Sequence, residues 1–125
     1  MTSLYEQLGG APVIERAVDI FYRKMLSDER VAPFFSDVDM DRQAAKQTAF
    51  LTMVTGGPNQ YTARAMTDAH RHLVARGLAD LHVDVVLEHL GTSFSEVGAT
   101  PEQVEIIKAT ANSVRGAVLG RPPVP

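Results

Sequence analysis

The residues able to do chemistry in this chain are few, and none of them is a thiol. Histidine occurs at positions 70, 72, 82 and 89, and cysteine is absent. Without thiols there are no disulfides, zinc–thiolate sites, iron–sulfur clusters or cysteine nucleophiles. Any metal must therefore draw on histidine, carboxylate, methionine or tyrosine. His70 and His72 stand two residues apart, point to different sides of a helix and cannot grip one ion together. No histidine pair shows the i, i+4 spacing of a zinc protease. His70 has an apolar setting, with Met66 four residues before it and Leu73-Val74 three and four after. One imidazole on such a face is too little for zinc but enough for haem, where the porphyrin supplies four ligands and the protein one. The same setting equally suits a structural histidine satisfied inside a core. His89, beside Val86, Leu90 and Phe94, reads as a satisfied core histidine, and His82 as an exposed residue opening a helix.

Polar residues also interrupt apolar faces elsewhere. Gln43, Gln47, Phe50 and Val54 fall on one stripe at spacings of four, three and four, so two amides share a face with an aromatic ring. An unpaired buried amide costs on the order of several kcal/mol, so each needs a partner or a place at a solvated rim. Tyr22 follows Phe21 and is able to turn its hydroxyl inward, either to a packing partner or to a ligand. There is no nucleophile elbow and no paired-carboxylate signature. Gly9-Gly10 and Gly56-Gly57 lack the Lys-Ser/Thr of a phosphate loop. Hydrolysis by the chain's own residues is not indicated.

The elements that must position these groups read as helices. Val13, Ile14, Ala17, Val18, Phe21 and Met25 recur at helical spacing over Pro12–Leu26, with proline in the first turn. A second helix is predicted over Met40–Val54, stopped by Gly56-Gly57-Pro58. A shorter one covers Ala65–Ala75 and ends at Gly77, and a fourth covers Val83–Val97. The last runs from Pro101 to Leu119, opened by a Thr100-Pro101-Glu102-Gln103 capping box and carrying the stripe Val104, Ile107, Ala111, Val114 and Val118. Strand signals are weak, so the fold class is all-α. The 125 residues suit one domain, predicted over 1–119, with a proline-rich tail over 120–125 expected to be flexible. Hydrophobic residues make up 45% and the formal net charge is −3 with no basic block, which disfavours nucleic acid as a partner. The first residues lack a basic region followed by an apolar core, and no apolar run approaches the ~18 residues of a membrane span. A cytoplasmic monomer with no membrane partner is the expectation.

In order and spacing, several segments resemble the group I truncated haemoglobins over nearly the whole chain. They are Ser3-Leu4-Tyr5-Glu6-Gln7-Leu8-Gly9-Gly10, Phe21-Tyr22, Val31-Ala32-Pro33-Phe34-Phe35, Asp39-Met40, Lys46-Gln47-Thr48-Ala49-Phe50, Gly56-Gly57-Pro58-Asn59-Gln60-Tyr61-Thr62, Met66, Ala69-His70 and His89-Leu90. The resemblance implies a shortened two-over-two helical globin sandwich around haem b, with His70 as the proximal iron ligand and its other ring N–H donated to a carbonyl. It places Tyr22, Gln43 and Gln47 at distal positions that hydrogen-bond a ligand on the iron. Phe50 packs on the macrocycle, Phe35, Met66 and Val86 form apolar wall, and Lys46 and Arg64 meet the haem propionates. Ala63 stands where many members carry glycine, and Leu51 where some place a second phenylalanine in a ligand tunnel. The implied function is reversible binding of dioxygen and other diatomic ligands, extending to conversion of nitric oxide to nitrate if a reductase restores ferrous iron. Non-catalytic oxygen storage or gas sensing is the alternative, and a cofactor-free helical bundle leaves the two glutamines without a role.

Overall fold

The computed structural model describes residues 2–57 and 63–121, with side chains in the second stretch described from Met66 onward. The chain order is α1 (Leu4–Leu8), α2 (Ala11–Leu26), a 3₁₀ turn (Ala32–Phe35), α3 (Met40–Val54), α4 (Ala63–Ala75), α5 (Asp80–Glu96), α6 (Pro101–Asn112) and α7 (Arg115–Val118). No strand occurs among the described residues, as the sequence led us to expect. None of their helices is long and apolar enough to cross a membrane.

Where local chemistry sets a helix end, expectation and structure coincide. Asp39 caps α3 by accepting the backbone N–H groups of Asp41 and Arg42 at 3.1 and 3.3 Å, and Gly56 just beyond its end takes the left-handed conformation. Thr100 and Gln103 close the capping box of α6 in both directions, at 3.2 and 2.9 Å. Elsewhere tertiary contacts move the ends. The helix expected from Val83 starts at Asp80, because the His82 ring reaches back and its Nδ1 accepts the Ala79 N–H at 2.9 Å. The helix expected to run unbroken from Pro101 to Leu119 ends at Asn112. There Ser113 Oγ donates to the Thr110 carbonyl at 2.5 Å and competes with helix continuation. The periodicity carried no sign of α1 or the 3₁₀ turn, both too short to show one. Of the predicted tail, Arg121 pairs with Asp80 and residues 122–125 lie outside the described ones.

Four helix pairings make the core: α2 against α3, α2 against α5, α5 against α6, and α4 against α7. Ile14, Phe21, Leu51, Leu90, Phe94 and Ile107 are almost wholly removed from water. Each such side chain contributes about 1.5–3 kcal/mol through that burial. The short α1 is bound to the end of α3, where the Tyr5 N–H donates to the Thr55 carbonyl at 2.7 Å. Gly9 makes the turn between α1 and α2 at a φ of 114°, a conformation costly for any residue with a Cβ. Gly57 serves a different need, since a Cβ there would lie 2.8 Å from both the Tyr5 ring and the Thr52 methyl. Gly57→Ala is therefore expected to lower stability by about 1–3 kcal/mol, enough to shift Tm by several degrees. Thermal melting followed by circular dichroism checks this, and an unchanged Tm would mean that α1 yields at no cost.

Candidate cofactor cavity

Helices α3, α4, α5 and α7 and the 3₁₀ turn surround a cavity of about 360 Å³, within the roughly 300–1,000 Å³ of small-molecule and cofactor sites. Its walls are mostly apolar, including Phe35, Phe50, Met66, Leu73, Val86 and Leu90, and its polar groups are few. Of the predicted site residues, Gln43, Gln47, Lys46 and His70 face this cavity, along with Phe35, Phe50, Met66 and Val86. The side chain of Arg64 lies outside the described ones. Tyr22 stands one layer back: its ring is buried edge-on to Phe21 and Phe35, at centroid distances of 5.0 and 5.8 Å, and it reaches the cavity through Gln43.

α4 carries His70 on the face it turns inward with Met66 and Leu73. The His70 Nδ1 lies 2.8 Å from the Met66 carbonyl oxygen, one helical turn earlier. An acceptor at that distance requires the proton on Nδ1, so in the neutral ring Nε2 carries the lone pair. Burial pushes the imidazole below its ordinary pKa. The Met66 carbonyl opposes that shift, and the nearby charges of His72 and Lys46 reinforce it. At neutral pH the ring is thus uncharged, with its tautomer fixed and one nitrogen available as a ligand.

α3 supplies the amides. Gln43 Nε2 donates to the Tyr22 hydroxyl oxygen at 3.1 Å, a link between residues far apart in sequence that fixes both side chains. Gln47 follows one turn later on the same face, and Phe50 one turn after that, 6% exposed. The stripe inferred from spacing is therefore real, except that Val54 has left the cavity for the core.

Sequence reasoning missed several polar cavity residues, His82 and Arg115 among them. His82, expected to be exposed, is half-buried and lines the cavity, with its ring edge-on to Phe34 at 4.9 Å. Its capping bond uses Nδ1 as acceptor and leaves the proton on Nε2. Arg115 also lines the cavity, beyond the break that ends α6. Of the other two histidines only His72 touches the cavity, at its rim. His72 is exposed at the edge, and His89 donates from Nε2 to Asp28 Oδ2 at 2.7 Å. That carboxylate also takes the Arg30 guanidinium at 2.6 and 3.0 Å, and the hydrogen bonds from Arg30 and His89 hold it well below the usual carboxylate range. The satisfied role expected for His89 holds, through a carboxylate of the α2 corner.

Among the described residues no three metal-ligating side chains gather, so this donor set does not suit an ion held by protein alone. One neutral imidazole on an apolar wall, facing amide donors carried by α3, suits a flat apolar cofactor that brings its own equatorial ligands. Lys46 and Arg42 at the edge add positive charge where such a cofactor's acidic groups would emerge.

A model of the bacterial-like globin family matches residues 3–119. A group 1 truncated hemoglobin of Tetrahymena pyriformis is 40% identical over 119 residues, covering 95% of this chain and 96% of that protein. The group 1 truncated hemoglobin GlbN of Synechocystis sp. is 42% identical over 114 residues, covering 90% and 92%. Among solved structures, the 2/2 hemoglobin of Synechococcus sp., in the cyanomet state with covalently attached heme, superposes with a TM-score of 0.89 at 37% identity, covering 96% of this chain and all of that one. The Fe(III) form of the T. pyriformis truncated hemoglobin gives 0.85 at 40% identity, covering 94% and 98%.

Proposed function

Because this chain belongs to the bacterial-like globin family, as a group 1 truncated haemoglobin with the two-over-two fold, we propose that it holds dioxygen tightly and uses it to oxidise nitric oxide to nitrate. Family membership itself establishes the coarser activity, haem-based binding of a diatomic ligand such as oxygen. When bound, haem would supply a ferrous iron able to take a diatomic ligand and the redox chemistry by which nitric oxide, dioxygen and one electron from a reductase become nitrate.

The chain's own residues do the rest. His70 presents Nε2 as the one protein ligand, steadied by the Met66 carbonyl at Nδ1. Phe35, Phe50, Met66 and Val86 exclude water and pack against the macrocycle. Lys46, at the cavity edge, meets the propionates. On the distal side Gln43 and Gln47 donate hydrogen bonds from the cavity wall to a small guest carrying partial negative charge, and the Tyr22 hydroxyl supports them from behind Gln43.

The observation that carries this reading is the 3.1 Å bond between Gln43 and Tyr22, with Gln47 beside it on the same face. A prepositioned set of donors retains dioxygen, and tight retention suits a reaction better than bulk transport, which needs release. A monomeric cytoplasmic protein served by a separate reductase completes the proposal. The loaded protein is expected to show a Soret band with haem bound mole for mole, and its oxygenated form is expected to convert nitric oxide rapidly and stoichiometrically to nitrate. A colourless product that refuses haem would overturn the proposal. A slow reaction with nitric oxide would leave oxygen storage or sensing.

A further inference from the structure

Arg115 opens α7, a helix of only four residues where an unbroken helix was expected. A helix so short has no stability of its own, so its position must be imposed from outside. One side of α7 packs on α4, the helix that carries His70, and Val114, Arg115 and Val118 face the cavity. The other attachment is the guanidinium of Arg115. Its Nε donates to Asn112 Oδ1 at 2.8 Å, and Nη1 to the Asp80 carbonyl and Oδ1 at 3.2 and 3.0 Å. Nη2 donates to Asp84 Oδ1 at 2.6 Å. The second oxygen of Asp80 takes Arg121, just beyond α7, so one carboxylate grips the segment on both sides. The Arg115 side chain is 19% exposed, and its planar fork fixes orientation as well as charge.

We infer that Arg115 is a positioning residue: it latches α7 to the first turns of α5, keeps α7 closed over the wall that carries His70, and so sets how slowly the cofactor leaves. The inference rests on the haem reading above for its cofactor, but not for the latch. Opening the cavity on this side requires α7 to lift from α4, and once the guanidinium is gone only apolar packing and the exposed Arg121–Asp80 pair resist that.

The test uses the full-length holoprotein. Arg115→Gln and, as a milder variant at an exposed partner, Asp84→Asn are loaded with haem and mixed with excess apomyoglobin as acceptor. Haem transfer from Arg115→Gln is expected to be roughly three- to tenfold faster than from wild type, with Asp84→Asn in between. Hydrogen exchange over residues 114–119 is expected to rise in both the haem-free and the loaded variants, while α2 and α3 stay unchanged. The conservative Arg115→Lys, which keeps the positive charge facing Asp80 and Asp84, is expected to release haem at a rate between wild type and Arg115→Gln. Transfer and exchange at wild-type values in both single variants would overturn the latch, as would an Arg115→Lys chain that releases haem faster than Arg115→Gln. A wild-type chain that takes up no haem would sink the haem reading, while exchange in the haem-free chain would still report on the latch.

Discussion

A chain carrying His70→Ala is expected to leave purification without haem, or to hold it only when imidazole is added. His70 is the imidazole of the cavity wall whose tautomer is fixed with Nε2 unprotonated: Nδ1 is committed to the Met66 carbonyl, and burial keeps the ring neutral. Loss of a group that merely orients a metal ligand weakens binding by roughly 10–100-fold, and loss of the ligand itself is expected to exceed that. Packing against Phe50, Met66 and Val86 would remain, which is why a free imidazole has a shaped space to enter and restore the missing bond. Titrating the variant with haem and then imidazole, while following the Soret band, reads this directly. His89→Ala is the control, since that ring is spent on Asp28 and is expected to keep haem. An ordinary five-coordinate spectrum from His70→Ala without imidazole would remove His70 from the role.

For Tyr22→Phe the expected result is a dioxygen dissociation rate about ten- to a hundredfold faster. A hydrogen bond to a group carrying partial charge contributes about 1.5–3 kcal/mol, which converts to that range. The ring is buried, and phenylalanine fills the same volume, so the fold is expected to stay intact. The loss is twofold: the hydroxyl itself, and the anchor at 3.1 Å that holds the Gln43 amide in place. Stopped-flow displacement of dioxygen by carbon monoxide measures the rate. Gln43→Leu separates the two parts, because a hydroxyl that acts only through Gln43 would make the double variant no faster than the single one. An unchanged rate in Tyr22→Phe would show that the hydroxyl plays no part in retention.

How much of this was legible in the sequence depended on whether the cause was local. The ends of α3 were readable because Asp39 caps one and glycine stops the other within a few residues. Spacing alone put Gln43, Gln47 and Phe50 on one face. It did not make His70 a ligand, because Met66 and Leu73 surround a structural histidine equally well, and only the resemblance over the whole chain gave it that role. Arg115 was beyond reach, since its partners Asp80 and Asp84 lie more than thirty residues away and nothing in α6 announces them. His82 was misjudged for a related reason: a ring that caps its own helix leaves the solvent face its position suggests. Tyr22 turned inward as expected, yet it stops behind Gln43, a depth that periodicity does not encode.

The attachment of α1 has a consequence for how the chain assembles. Tyr5 meets Thr55 across 50 residues of sequence, and α1, five residues long, cannot hold its shape alone. During synthesis it must wait until α3 has been made and folded before it has anything to dock on, and closing so long a loop is slow relative to forming the helices inside it. A segment made before the helix it docks on is thus among the last to find its place, and the first to let go when the molecule breathes.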